Sequence, residues 1–151
     1  MVFLISAFVV GVACGLRALV GLAAVSWAAS SGNVPVQGTW LAFLGFRATP
    51  FITSLLGIFE LVTDKLPKTP SRLVPPQFGA RVLMGALTGA AIGVSHGHLF
   101  MGLLSGIVGS ILGTLAGAKA RAAAARLFGR DLPAALLEDV VAIALLFLAL
   151  R

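Results

Sequence analysis

Five apolar stretches, at 2–29, 40–63, 80–96, 99–118 and 133–150, leave only short loops between them. Crossing the hydrocarbon core of a bilayer takes about 20 mostly apolar residues over roughly 30 Å. Backbone polar groups at that depth find no water, so a single spanning segment has to be helical. The pattern predicts an all-α polytopic transmembrane bundle of about five spans, one integral membrane domain over 1–151 with no room for a soluble one. Composition points the same way: the chain is 59% hydrophobic and 11% charged, where soluble domains carry about a quarter charged residues. A secretory signal is a poor reading of the first stretch, because it lacks a basic leader and Arg17 interrupts the apolar run.

The net charge of +6 does not call for nucleic acid once the charges are placed. Lys65, Lys68, Arg72 and Arg81 fall in one linker region, and Lys119, Arg121, Arg126 and Arg130 in another. The linkers at 30–39 and 95–98 carry no Lys or Arg. Such alternation is the positive-inside pattern. With five spans it puts the N-terminus and both basic loops in the cytoplasm and the C-terminus outside. The same loops would lie against anionic lipid, each basic residue contributing about 1 kcal/mol near the surface.

Several stretches carry internal punctuation. Thr49-Pro50 reads as a cap followed by proline at the first helical position, starting a short helix that runs to Lys65 and stops at Pro67. Arg17, between Gly15 and Gly21, marks a second break. The heptapeptide around it, G-x-R-x-L-x-G, recurs at 79–85 around Arg81, and a carboxylate pair follows each copy. Small membrane carriers are often built by internal duplication, and this chain is a candidate for one. Gly85, Gly89 and Gly93 repeat every four residues, as do Gly109, Gly113 and Gly117. Small residues at this spacing let helix backbones approach closely in lipid. They pack either within the chain or across a homo-oligomer, and five slim helices favour a dimer.

All five acidic residues fall in two segments that touch apolar runs: Glu60 and Asp64 in one, Asp131, Glu138 and Asp139 in the other. Glu60 and Asp64, four residues apart, share a helix face, and Lys65 follows where the helix dipole favours a cation. Asp139 or Glu138 near a helix start has a bland explanation in the same dipole. Ionisable groups at membrane depth are expensive and mark functional sites by default. The candidate site is therefore Arg17, Glu60, Asp64, Lys65, Arg81, Glu138 and Asp139. Three readings compete: a structural ion-pair network, a proton- or cation-coupled transport site, and a basic cluster that grips a phosphate or lipid headgroup.

Nothing points to catalysis or to a cofactor. The chain has no G-x-S-x-G, no zinc motif and no phosphate-cradling glycine loop. His96 and His98 read as a surface turn and not as metal ligands. Cys14, the single cysteine, reads as a buried, inert thiol.

With G-L-R-A at 15–18, E-L-V-T-D-K-L-P at 60–67, P-P-Q-F-G at 75–79 and L-E-D-V-V-A at 137–142, the chain resembles, nearly end to end, a family of small bacterial inner-membrane proteins. That family is a domain of unknown function whose members are occasionally labelled permeases. Members often have a proline soon after G-L-R-A, where this chain has Gly21, and Arg-Pro where it has Val74-Pro75-Pro76. The resemblance implies an inner-membrane location and a polar signature at Arg17, Glu60, Asp64, Lys65, Glu138 and Asp139, with no established substrate. The expected function is a small, non-enzymatic transporter or channel-like permease. An accessory subunit packed on a larger membrane complex, or an anionic-lipid-binding protein, is the alternative.

Overall fold

A computed structural model describes residues 1–66 and 71–151. Pro67, expected to stop a helix, and Lys68 of the first basic loop lie outside the described residues. Among the described residues there are six α-helices and no strands: α1 (Val2–Leu16), α2 (Ala18–Ser30), α3 (Thr49–Thr63), α4 (Pro75–Val94), α5 (Leu99–Phe128) and α6 (Asp131–Ala149). A 3-10 turn, Ala42–Gly45, precedes α3. Local sequence sets the boundaries. Proline stands at the start of α3 and α4, where the missing N–H is harmless. Gly129 ends α5 with a left-handed φ of 66°, and Asp131 puts a negative charge in the first turn of α6.

Of the five expected spans, 80–96, 99–118 and 133–150 fall on α4, α5 and α6, while 2–29 and 40–63 are each broken. Among the described residues, only α4, α5 and α6, of 20, 30 and 19 residues, are long and apolar enough to cross a membrane. The run 2–29 is two helices of 15 and 13 residues, reaching about 22 and 20 Å at 1.5 Å per residue. They do not continue in line. A Cβ on Gly21 would lie 3.4 Å from Cys14 Cα, whereas residues seven apart on one helix are separated by about 10 Å. The chain therefore doubles back at Arg17, whose backbone is extended (φ −140°, ψ 96°), and α1 and α2 form a hairpin. The break in the stretch 40–63 falls where expected, at Thr49-Pro50, although Ala48 and not Thr49 is the cap, the Thr49 hydroxyl donating instead to the Phe43 carbonyl.

The hairpin changes the topology. Leu4, Phe8, Val12 and Leu16 of α1 face Ser105, Gly109, Gly113 and Gly117 of α5 at a constant offset, so these two run parallel. Gly85, Gly89 and Gly93 of α4 face Ser110, Gly106 and Gly102, so α4 runs antiparallel to α5. Helix α3 runs back along α2, with Gly57 beside Val20 and Ser54 beside Trp27. Val2, Asn33, His96 and Arg151 then line one cavity, so both termini share one end of the bundle. The opposed termini expected from five spans are corrected by one extra reversal.

The glycines of α1, α4 and α5 pack against one another within the chain. A Cβ added at Gly89 would sit 2.8 Å from Gly106 Cα, one at Gly11 2.9 Å from the same atom, and one at Gly113 2.9 Å from Val12 Cα. Helices α1, α4 and α5 thus touch backbone to backbone, which lipid permits only where side chains are absent. The duplicated heptapeptide does not translate into repeated structure: Gly15–Gly21 turns the hairpin corner, while Gly79–Gly85 lies inside the continuous helix α4. Large apolar side chains ring the outside, among them Phe51, Leu55 and Phe59 of α3 and Val140, Ile143 and Phe147 of α6. A surface of this kind, with three apolar helices of spanning length, is that of a membrane-associated protein.

Candidate functional site

Arg17 stands at the hairpin corner with 0% of its surface exposed. Its Nε donates to Asp139 Oδ1 at 2.6 Å, its Nη1 pairs with Asp64, and its Nη2 lies 3.5 Å from Glu138 Oε2. Three carboxylates from two helix segments therefore surround one guanidinium. Lys65 Nζ donates to Asp139 Oδ2 at 2.6 Å and to the Leu61 carbonyl at 2.8 Å. On the other side of Glu138, Arg72 makes a two-pronged pair, with Nη2 donating to Oε2 at 2.7 Å. Such paired contacts are the strongest geometry open to a guanidinium. Arg121 of α5 donates to Asp64 Oδ2 at 2.6 Å, to the Asp64 carbonyl at 3.2 Å and to both Asp131 oxygens at 3.0 and 2.7 Å.

Glu60 and Arg81 have a different task. The Glu60 carboxylate accepts the backbone N–H groups of Ala18, Leu19 and Val20 at 2.9, 2.8 and 3.3 Å. These are orphan donors of the first turn of α2. Arg81 Nη1 donates to the Leu16 and Gly15 carbonyls, at 2.7 and 3.3 Å, at the C-terminus of α1; Thr114 Oγ1 also donates to Gly15 at 3.2 Å. An anion thus sits on the positive end of α2 and a cation on the negative end of α1, as the helix dipoles favour. Arg81 is a looser counter-charge, its Nη1 3.9 Å from Glu60 Oε1 and, among the described residues, without a direct hydrogen bond to a carboxylate.

The structure brings all seven sequence-derived residues to one place and adds Arg72, Arg121 and Asp131. The enlarged cluster holds Arg17, Lys65, Arg72, Arg81 and Arg121 against Glu60, Asp64, Asp131, Glu138 and Asp139, five charges of each sign. It includes every acidic residue of the chain, so the net charge of +6 belongs to residues outside it. Arg72 and Arg121 had the look of loop charges set by membrane orientation, and Asp131 stands in the second acidic segment with no place in the candidate site drawn from the sequence. Arg17, Arg72, Arg81, Glu138 and Asp139 are all buried, and buried charges persist only when paired and hydrogen-bonded.

Residues 4–151 match the model of a domain of unknown function, DUF4126. The chain belongs to the DUF4126 family. No curated protein and no solved structure matches it. Membership of DUF4126 agrees with the resemblance drawn from the short motifs, and three of those motifs contribute Arg17, Glu60, Asp64, Lys65, Glu138 and Asp139 to the cluster. Elsewhere in this DUF4126 chain, His96 and His98 both stack on Phe3, with ring centroids 5.1 and 5.4 Å apart. No group of three or more His, Cys, Asp or Glu side chains able to hold a metal ion occurs among the described residues. Cys14 is buried, its Sγ 3.4 Å from Thr88 Oγ1.

Proposed function

We propose that this protein is a small, non-enzymatic membrane carrier and that the charge cluster is its closed gate at the basic end of the bundle. The observation that carries the reading is the gathering of every carboxylate of the chain around the corner of a short helix hairpin. Broken helices whose ends meet charged groups are the usual architecture of a carrier site. Helix α3 is the natural moving part. It supplies Glu60 and leads directly into Asp64 and Lys65, yet it packs mainly on α2 and the 3-10 turn and buries only Pro50, Thr53 and Gly57. Exchange of the partners that hold Asp64 and Lys65, namely Arg17, Arg121 and Asp139, would loosen α3 from the rest. Charge switching of this kind is how a small energy input biases a two-state element.

The positive-inside rule supports an orientation with the charged end cytoplasmic, since Lys65, Arg72, Lys119, Arg121, Arg126 and Arg130 lie there. Because the termini share the other end, this puts both of them outside and replaces the N-in arrangement that five spans implied. A bacterial inner membrane fits the family resemblance. Homo-oligomers, or a larger complex, would have to use faces other than the glycine seam, which is filled within the chain; this removes the main support for the accessory-subunit reading. The headgroup-gripping reading also weakens, because the cluster's cations already have carboxylate or carbonyl partners. A purely structural lock is the remaining rival, favoured by the equal count of opposite charges.

Flux separates carrier from lock. Proteoliposomes holding a pH-sensitive dye and challenged with gradients of small anions and cations should show protein-dependent proton movement, lost in Asp139→Asn and Glu138→Gln. Leak equal to that of empty vesicles across the whole panel, from protein that is folded, would sink the carrier.

A further inference from the structure

The place that Glu60 occupies is itself an oxyanion site. Three converging backbone N–H groups, of Ala18, Leu19 and Val20, bind its carboxylate within 3.3 Å at the positive end of a 13-residue helix, the arrangement by which helix N-termini hold free anions. A second feature borders the same spot. Arg81 is 3% exposed, its Nη1 lies 3.9 Å from Glu60 Oε1, and its Nε has no hydrogen-bond partner among the described residues. Nη2 of Arg17, the residue that precedes the three N–H groups, likewise lacks a hydrogen-bond partner. Donor capacity on Arg81 is therefore left over while Glu60 is in place, whereas Arg17 Nη2 stays 3.5 Å from Glu138 Oε2.

Charge bookkeeping adds a third feature. Glu60, Asp64 and Lys65 arrive together on α3 and its C-terminal end. Without them the cluster keeps Arg17, Arg72, Arg81 and Arg121 against Asp131, Glu138 and Asp139, four cations against three carboxylates and a net charge of +1. A buried excess charge is costly unless paired, so the open state calls for one negative charge from elsewhere.

We propose that a small monocarboxylate takes the place of Glu60 on the N-terminus of α2 when α3 moves away, and that such anions are the carrier's cargo. The inference rests on the carrier reading for the motion, but the binding site stands on its own geometry. Glu60 then acts as a tethered substitute ligand: it closes the site when cargo is absent and leaves when cargo competes. The anion's carboxylate accepts from the three N–H groups and from Arg81, and its uptake restores electrical balance to the cluster.

Chemical rescue tests the site apart from transport. Purified Glu60→Ala in detergent, at constant chloride, should gain a saturable rise in melting midpoint on adding acetate, with none from equal acetamide. The wild type, already filled by its own carboxylate, should respond far less. Glu60→Gln serves as the second variant if the alanine variant does not fold: its side-chain carbonyl still caps the helix while the missing charge leaves the cluster at +1, and acetate should stabilise it more than acetamide does. Equal effects of acetate and acetamide on whichever variant folds would overturn the proposal. Acetate-specific rescue together with absence of labelled-acetate counterflow in wild-type proteoliposomes would uphold the anion site but discard acetate as cargo and, with silence across the ion panel, the carrier reading.

Discussion

Between α4 and α5, Gly89 and Gly106 leave nothing between two backbones. At the hairpin corner, ten charged side chains, five of each sign, fill the space between helices. Both regions solve one problem. Lipid tails are as apolar as leucine, so no hydrophobic drive pulls helices together inside a bilayer. The seam answers with dispersion forces summed over close backbones, and it tolerates no added atom. The corner answers with charge pairs, and it tolerates no missing partner. One region is rigid because of what is absent from its residues; the other is held by groups that can titrate and separate. A moving part belongs at the second.

Perturbing each side should separate them. Arg17→Gln has the largest expected effect, since it takes the fully buried partner from Asp64 and Asp139 and leaves them only Arg121 and Lys65; breaking a buried pair costs about 3–5 kcal/mol. Reversible unfolding in mixed detergent micelles would read the loss, and a change under about 1 kcal/mol would mean water reaches the corner. Gly89→Val should cost about 1–3 kcal/mol or more through overpacking against Gly106, with flux falling only in proportion to folded protein. A gating phenotype from this variant, at normal stability, would blur the two regions into one.

A subtler effect is expected at Arg72 and Glu138. Replacing either alone leaves its partner's charge buried, whereas Arg72→Leu combined with Glu138→Leu should lose less stability than either single change. Additive losses in that cycle would indicate no direct coupling. The smallest effect belongs to Asp131, whose side chain is 60% exposed. Asp131→Asn should cost at most about 1 kcal/mol, and less at high salt.

Much of this division can be read in the sequence. Glycines at four-residue intervals announce close packing, and the gathering of carboxylates marks the polar end. Thr49-Pro50 announces a helix start, and Arg17 between glycines announces a break. Whether a break bends or reverses a chain is not a local property. The reversal at Arg17 is secured by Glu60 and Arg81, 42 and 66 residues beyond the groups they bind, and hydropathy of the run 2–29 contains neither. The count of five spans is not confirmed for the same reason, because two antiparallel helices of 15 and 13 residues look like one long apolar stretch. Arg72 and Arg121 were hidden by a competing rule: basic residues near helix ends satisfy membrane orientation whether or not they also pair with carboxylates. For Glu60 the missing signal was geometric, since nothing in E-L-V-T-D-K-L-P distinguishes a helix cap from a proton carrier.

The separation of Arg17 from its partners also has a meaning in time. Asp64 follows it by 47 residues and Asp139 by 122. At synthesis rates of about 5–20 residues per second, the last of these emerges roughly 6–24 s after Arg17 does. Until Asp64 emerges the nascent hairpin holds an unmatched positive charge at its tip, and the arrival of α6 completes its surroundings. The final helix is thus the bolt of the assembly, and a ribosome stalled before it would leave a protein inserted but unlatched.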